Sequence, residues 1–231
     1  MRVEEVCMRM IRIISCALGV AVVLCCSTAH ANLLNGGFET GDLTSWTATG
    51  TVQVVDFEFP RDFLGLPQAP FTVSGDWEPT QGNYFASLWS TDNWGTDIST
   101  LTQTFTTPTW TGSNPWVTLD YFYDFGDVVP FEDPARIYVI DSLGNSVFDM
   151  TINDPFAGTG LGDDVNIDWT SLNISLPSAG TYTLGFEIMD SIGVWESILG
   201  VDNVQVVPVP AAVVLGILGM SVAGLKLRKH A

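Results

Sequence analysis

Thr170-Ser-Leu172-Asn-Ile174-Ser-Leu176 and, after five intervening residues, Tyr182-Thr-Leu184-Gly-Phe186-Glu-Ile188 decide the fold. Every second residue is apolar, the period of a chain that buries one face of a pleated strand. Ser171, Asn173 and Ser175 take the other face of the first segment, and Thr181, Thr183, Gly185 and Glu187 that of the second. Working outward, Val117, Leu119, Tyr121, Tyr123 and Phe125 make the longest stripe, and Leu101, Gln103 and Phe105 alternate with Thr102 and Thr104. Weaker strands are expected over 51–57, 83–89, 135–141, 146–151 and 201–207. Between the two ends of the chain no stretch of ten residues carries a 3.6-residue period. With 22 Gly and 12 Pro in 231 residues, the pattern predicts an all-β antiparallel β-sandwich of about ten short strands.

Three segments are expected: a leader over 1–31, a sandwich over 32–207 and a tail over 208–231. The middle segment is one domain by length. It holds only Arg61 and Arg136 against 24 Asp and Glu, a formal charge of −22, and it has no Lys. Both histidines and all four cysteines lie outside it. Ser-His-Asp and Cys-His catalysis, zinc sites and disulfides are therefore excluded within this segment. So negative a surface repels phosphate backbones, which excludes nucleic acid.

Arg2, Arg9 and Arg12 precede an apolar run from Ile13 to Leu24, and Ala29-His30-Ala31 supplies small residues three and one positions before a cut. This reads as a signal helix cleaved after Ala31, with a short membrane anchor as the alternative. Ser15-Cys16 falls too early in the run for a lipoprotein. At the other end, Val209 to Leu225 is uncharged and is followed by Lys226, Arg228 and Lys229. Its 17 residues span about 25 Å as a helix, close to the roughly 30 Å of a hydrocarbon core. A single transmembrane helix is expected, with its basic end on the cytoplasmic side of the inner membrane. A buried core helix is the alternative.

This tail resembles the PEP-CTERM family of sorting signals: Pro208 and Pro210 match its two prolines, Lys226, Arg228 and Lys229 its basic end. Val209 stands where the family usually has Glu, making a VPxP variant. The resemblance implies a Gram-negative exporter, processing by a membrane-embedded exosortase, and transfer to the cell surface or its polysaccharide matrix. The opening Asn32-Leu-Leu-Asn35-Gly36-Gly37-Phe38-Glu39, with Leu43 and Trp46, resembles that of galactose-binding-like jelly rolls, which many carbohydrate-binding modules share. Trp195-Glu196-Ser197 through Val201-Asp202-Asn203-Val204 resembles the closing strand of that fold.

Asp202 shares alternation with Val204 and Val206, so its carboxylate is expected to begin the inward face. A charge there must be paired or coordinated. Calcium accepts carboxylates and backbone carbonyls, and in the resembling modules a structural calcium commonly sits where the first and last strands meet. Glu39 and Asp202 are its expected ligands; the alternative is that both are solvated or accept backbone N–H bonds. The acids Asp124, Asp127, Glu132 and Asp133, and Asp163, Asp164 and Asp168, are expected to be solvated, with a second ion site as the alternative.

Trp89 and Trp94 flank Ser-Thr-Asp-Asn, and Trp110 and Trp116 flank Thr-Gly-Ser-Asn-Pro. Rings beside amides and carboxylates suit a sugar; the alternative is that they cap the ends of the sandwich. The remaining catalytic option is a carboxylate pair, as in glycoside hydrolysis, with Glu187 and Glu196 the nearest to fitting. The sequence points instead to an exported, non-enzymatic surface or matrix protein, with a carbohydrate-binding module recognising exopolysaccharide as the alternative.

Overall fold

The computed structural model describes residues 33–58, 77–90, 98–107, 114–124, 133–153, 167–190 and 196–207, all within the unit Ala31–Ala231. The leader with Ala29 and Ala31, the tail with Pro208, Pro210, Lys226, Arg228 and Lys229, and Trp94 and Trp110 lie outside the described residues. No described residue is helical.

Among the described residues the alternating segments form ten strands in two antiparallel sheets. The first sheet runs β1 (Thr47–Thr49), β4 (Ile98–Thr107), β9 (Gly180–Met189), β6 (Ala135–Asp141), β7 (Ser146–Ile152). The second runs β2 (Thr51–Val55), β3 (Phe85–Trp89), β10 (Ile198–Val207), β5 (Trp116–Asp124), β8 (Ile167–Ser175). Their inner faces meet in one apolar core containing Leu101, Phe105, Leu119, Tyr123, Ile137, Leu184, Phe186 and Val201. Gln103 sits in this buried stripe because both ends of its amide are bonded: Oε1 accepts from Leu34 N at 2.7 Å and Nε2 donates to Leu34 O at 2.9 Å. One polar residue thus fastens the opening segment to the first sheet. Trp46 fastens it again, stacking on Phe38 at 5.4 Å and donating its indole N–H to Asn35 O at 3.0 Å.

The outer face of the second sheet carries a second apolar cluster of Trp77, Phe85, Trp89, Phe122 and Ile198. Gly200 permits it: a Cβ there would overlap the Phe122 ring, which lies flat on β10 with Trp77 stacked on it at 4.2 Å and 4°. A bridge between Glu58 and Trp77 holds the covering segment in place.

In one place the strand pattern misleads. Val204 and Val206 pack on the main core as expected, but the β10–β5 register shifts between Asp202 and Gln205, and Asn203 is left-handed at φ 53°. This bulge reverses the alternation. Asp202 therefore lies on the outer face, opposite Asp120, and is buried because the Thr80–Tyr84 turn covers it. The acids divide as well. Asp168 is exposed as expected, whereas Asp124 and Asp133 are buried, Asp133 accepting from Ser90 Oγ at 2.7 Å. Asp127, Glu132, Asp163 and Asp164 lie outside the described residues.

Candidate functional site

The outer face of the first sheet carries polar and aromatic side chains at its alternate positions. On β1, β4 and β9 these are threonines paired across the strands: Thr49 with Thr100 at 2.7 Å, Thr104 with Thr183 at 2.9 Å, and Thr106 with Thr181 at 3.2 Å between hydroxyl oxygens. Beside them Tyr138 on β6 stands opposite Gly185 on β9. Any Cβ at Gly185 would overlap the phenol ring, so the missing side chain lets Tyr138 lie down against the sheet. A ring held this way is pre-set in one orientation.

Charge is gathered next to that ring. Arg136 reaches Asp149 through Nε and Nη2, both at 2.7 Å, and Glu187 through Nη1 at 3.3 Å. Its guanidinium carbon lies 4.7 Å from the Tyr138 ring centroid. The bidentate pair fixes the plane of the guanidinium, and the Arg136 hydrogen bond holds the Asp149 carboxyl below its usual range. Burial pushes the Tyr138 phenol upward, and the Glu187 carboxylate, hydrogen-bonded to it, adds to the shift. All four side chains keep part of their surface in water. The result is a shallow face with one aligned ring, a planar cation, two carboxylates and rows of hydroxyls. With the Arg136 guanidinium lying over the ring, such a set can lay its planar cation against a pyranose and bond its hydroxyls.

A second constellation lies where the opening segment meets β10. Val204 N donates to Gly36 O at 2.9 Å. A Cβ on Gly37 would be 3.8 Å from the Glu39 Cγ methylene and 3.9 Å from Asp202 Oδ1, so the two side chains approach the same glycine. Each grips one half of the Thr80–Tyr84 turn. Glu39 accepts from Asn83 N at 2.8 Å, Asn83 Nδ2 at 3.2 Å and Tyr84 N at 3.1 Å. Asp202 accepts from Gln81 N at 3.0 Å, Thr80 Oγ1 at 2.9 Å and Asn203 N at 2.6 Å. These bonds lower the Glu39 pKa, the Asn83 N–H foremost, whereas burial raises that of Asp202.

The tryptophans have other surroundings. Trp89 is 8% exposed and donates its indole N–H to Ser87 Oγ at 2.8 Å; it belongs to the outer cluster of the second sheet and offers no open face. Trp116, at 38% exposed, is accessible at the start of β5. Tyr138, Arg136 and Asp149 carry no motif of their own in the sequence. The available signal was Gly185 inside an otherwise regular strand, which marks a close approach by something from a neighbour.

No family model and no curated protein matches the chain. Among solved structures it is similar to TmCBM61 in complex with β-1,4-galactotriose, with 17% identity and TM-score 0.46 over 78% of this chain and 99% of that one. It is similar to CBM28, a carbohydrate-binding module specific for non-crystalline cellulose, with 16% identity and TM-score 0.43 over 76% and 94%. It is also similar to the K1 cleaved adhesin domain of Lys-gingipain from Porphyromonas gingivalis W83, with 14% identity and TM-score 0.42 over 75% and 96%. None of these likenesses assigns a ligand or a residue role to this chain.

Proposed function

We propose that this chain is a carbohydrate-binding module, a jelly roll of the galactose-binding-like kind that holds a polysaccharide across the outer face of its first sheet. The observation that carries this reading is Tyr138 laid against Gly185, beside a guanidinium whose plane is set by two carboxylates. It replaces the matrix-protein reading as the leading one. The reading is of binding without cleavage: Glu187 is held by Arg136 instead of standing in the apolar surroundings that make a carboxylic acid a proton donor. Saturable binding of the purified chain on a glycan array is expected, lost in Tyr138→Ala and in Gly185→Ala. Binding to no glycan would return the matrix-protein reading to first place.

The leader and tail support export and tethering by the C-terminal segment, with an exosortase-type enzyme as processing partner. Sorting of a reporter placed between residues 1–31 and 208–231 tests this; such a reporter left in the cytoplasm would refute it.

A structural calcium at the Glu39–Asp202 junction belongs to the same reading. Glu39 and Asp202 each accept backbone N–H bonds, and among the described residues no group of three or more carboxylates is placed to hold a metal; what calls for a cation is the uncompensated charge at Asp202. Asp202 is fully buried, and Arg136, the sole Lys or Arg among the described residues, is committed on the other sheet. Thr80 has one hydroxyl proton for two carboxylates, Asp202 at 2.9 Å and Asp120 at 3.0 Å, so one of them meets only a lone pair. Calcium would supply the missing positive charge and tie the opening segment to the last strand.

A further inference from the structure

We propose that the end of the sandwich from which the tail departs is a lipid-docking surface, seated on the membrane through Trp116 and Leu143. Strand pairing gathers that end. Val207, the last residue of β10, stands opposite Trp116, the first of β5, and Trp116 stands opposite Ser175, the last of β8. Residues 176–179 then cross to the first sheet, where Gly180 pairs with Thr107. Asp141 pairs with Tyr182, two residues further on, so the β6–β7 hairpin over 142–145 projects at the same end.

The length of the connection to the tail sets the distance, given the reading of 209–225 as a membrane anchor on which this surface rests. Val209 begins the uncharged run, two residues after Val207. Two residues of extended chain reach about 7 Å at most, and the headgroup layer on each side of a bilayer is about 5–8 Å deep. While the tail is inserted and uncut, Val207 and its neighbour Trp116 therefore stand at that layer, whatever else the body holds.

The side chains suit that place. Trp116 is 38% exposed and Leu143 85%. The hairpin has no need of a leucine: it is built by the Asp141 carboxylate, which accepts from Leu143 N and Asn145 N, both at 2.9 Å, and by Gly144 at φ 84°. A Cβ on Gly144 would meet nothing within 4 Å, so the tip stands clear of the body. Indole rings settle at the headgroup level, and a leucine gains by entering the acyl region beneath it. Charge agrees. The strand ends and turns here (107, 114–116, 141–145, 175–180 and 206–207) hold one acid, Asp141, which the hairpin engages. Asp124, Asp133, Asp168, Asp190 and Glu196 all lie at or just beyond the opposite strand ends. In so acidic a segment, sparing this end removes the repulsion that anionic headgroups would exert. With the strands upright on the membrane, the outer face of the first sheet turns sideways, and Tyr138 stands about 10 Å above the start of the hairpin, open to a polymer.

The test uses the chain expressed with its leader, in a host without a processing enzyme for the tail, and purified from membranes. It is placed singly in nanodiscs of phosphatidylethanolamine and phosphatidylglycerol that carry a gadolinium-chelating lipid, and paramagnetic broadening of the amides is read. With the two ends of the sandwich roughly 25–30 Å apart, the amides of Leu143, Gly144 and Ser178 should broaden about tenfold or more beyond those of Trp89 and Ser90. Leu143→Glu should reduce that broadening several-fold, with an unchanged melting temperature because the side chain is exposed; Trp116→Ala should weaken it too. Met189→Glu, which adds the same charge at the opposite end, should leave it unchanged. A chain absent from the membrane fraction would refute the anchor and this surface with it. A chain that is anchored but broadened evenly over its surface, or most strongly at the Asp124 end, would overturn the surface alone. A Leu143→Glu profile identical to the parent's would do the same. So would broadening that appears only with two chains in a disc, which would assign this end to a second copy.

Discussion

A methyl group added at Gly185 and one added at Gly200 each run into an aromatic ring, yet the two rings have different freedom. Tyr138 is half-buried on an open face and can swing into water. Phe122 is fully buried and stacked under Trp77. Gly185→Ala is therefore expected to cost about 1 kcal/mol or less while displacing the ring and abolishing glycan binding. Gly200→Ala is expected to cost about 1–3 kcal/mol or more from overpacking, at about 2–4 °C of melting temperature per kcal/mol. Thermal melts and a glycan array run on both variants check this pair. If Gly185→Ala keeps full affinity, the ring is not the platform. Arg136→Lys is a finer probe: a lysine keeps the charge but cannot make the bidentate pair with Asp149. Its glycan affinity should fall several-fold in titration, while the half-exposed ion pair it loses is worth only about 0.2–1 kcal/mol of stability.

The Thr80–Tyr84 turn hangs from two carboxylates whose pKa values move in opposite directions. Glu39 is lowered, chiefly by the Asn83 N–H, so its grip is present above the ordinary carboxylate range and is lost as pH falls through its folded value. Asp202 is raised by burial, so its charge costs stability at neutral pH, and that cost disappears as pH falls through its raised value. Stability without divalent ions should therefore rise on mild acidification and fall below the ordinary carboxylate range, where Asp141 and Asp149, also lowered, lose their bonds. Denaturant melts across pH in chelator check the shape, and Asp202→Asn should remove the rise. At this scale the sequence was legible in most strands, because alternation of Leu, Ile and Val with Ser and Thr leaves no other burial. It was not legible in two places. Three-residue β1 is too short and too exposed to show a period, and the Asn203 bulge moves Asp202 to the opposite face without a marking residue such as glycine.

At the scale of the whole molecule, the absence of Lys from residues 32–207 makes that segment an anionic body whose ends are fastened to one another. Leu34 is clamped by Gln103, and Gly36 by Val204. Millimolar calcium is expected to raise the melting temperature relative to chelator, and Glu39→Gln should blunt the rise; an identical melting curve in both conditions would remove the ion. The proposed glycan face was less legible than the fold because a face is made by register. Tyr138 and Gly185 are 47 positions apart in the sequence, and only the pairing of β6 with β9 puts one on the other.

The placement of β10 between β3 and β5 has a mechanical consequence. A molecule gripping polymer on one sheet and tethered through the strand that leads to its tail feels drag along the length of that strand. A border strand would peel away one bond at a time; an interior one must slide against two neighbours together. Pulled from its C-terminus in an optical trap, the protein should yield at high force in a single step.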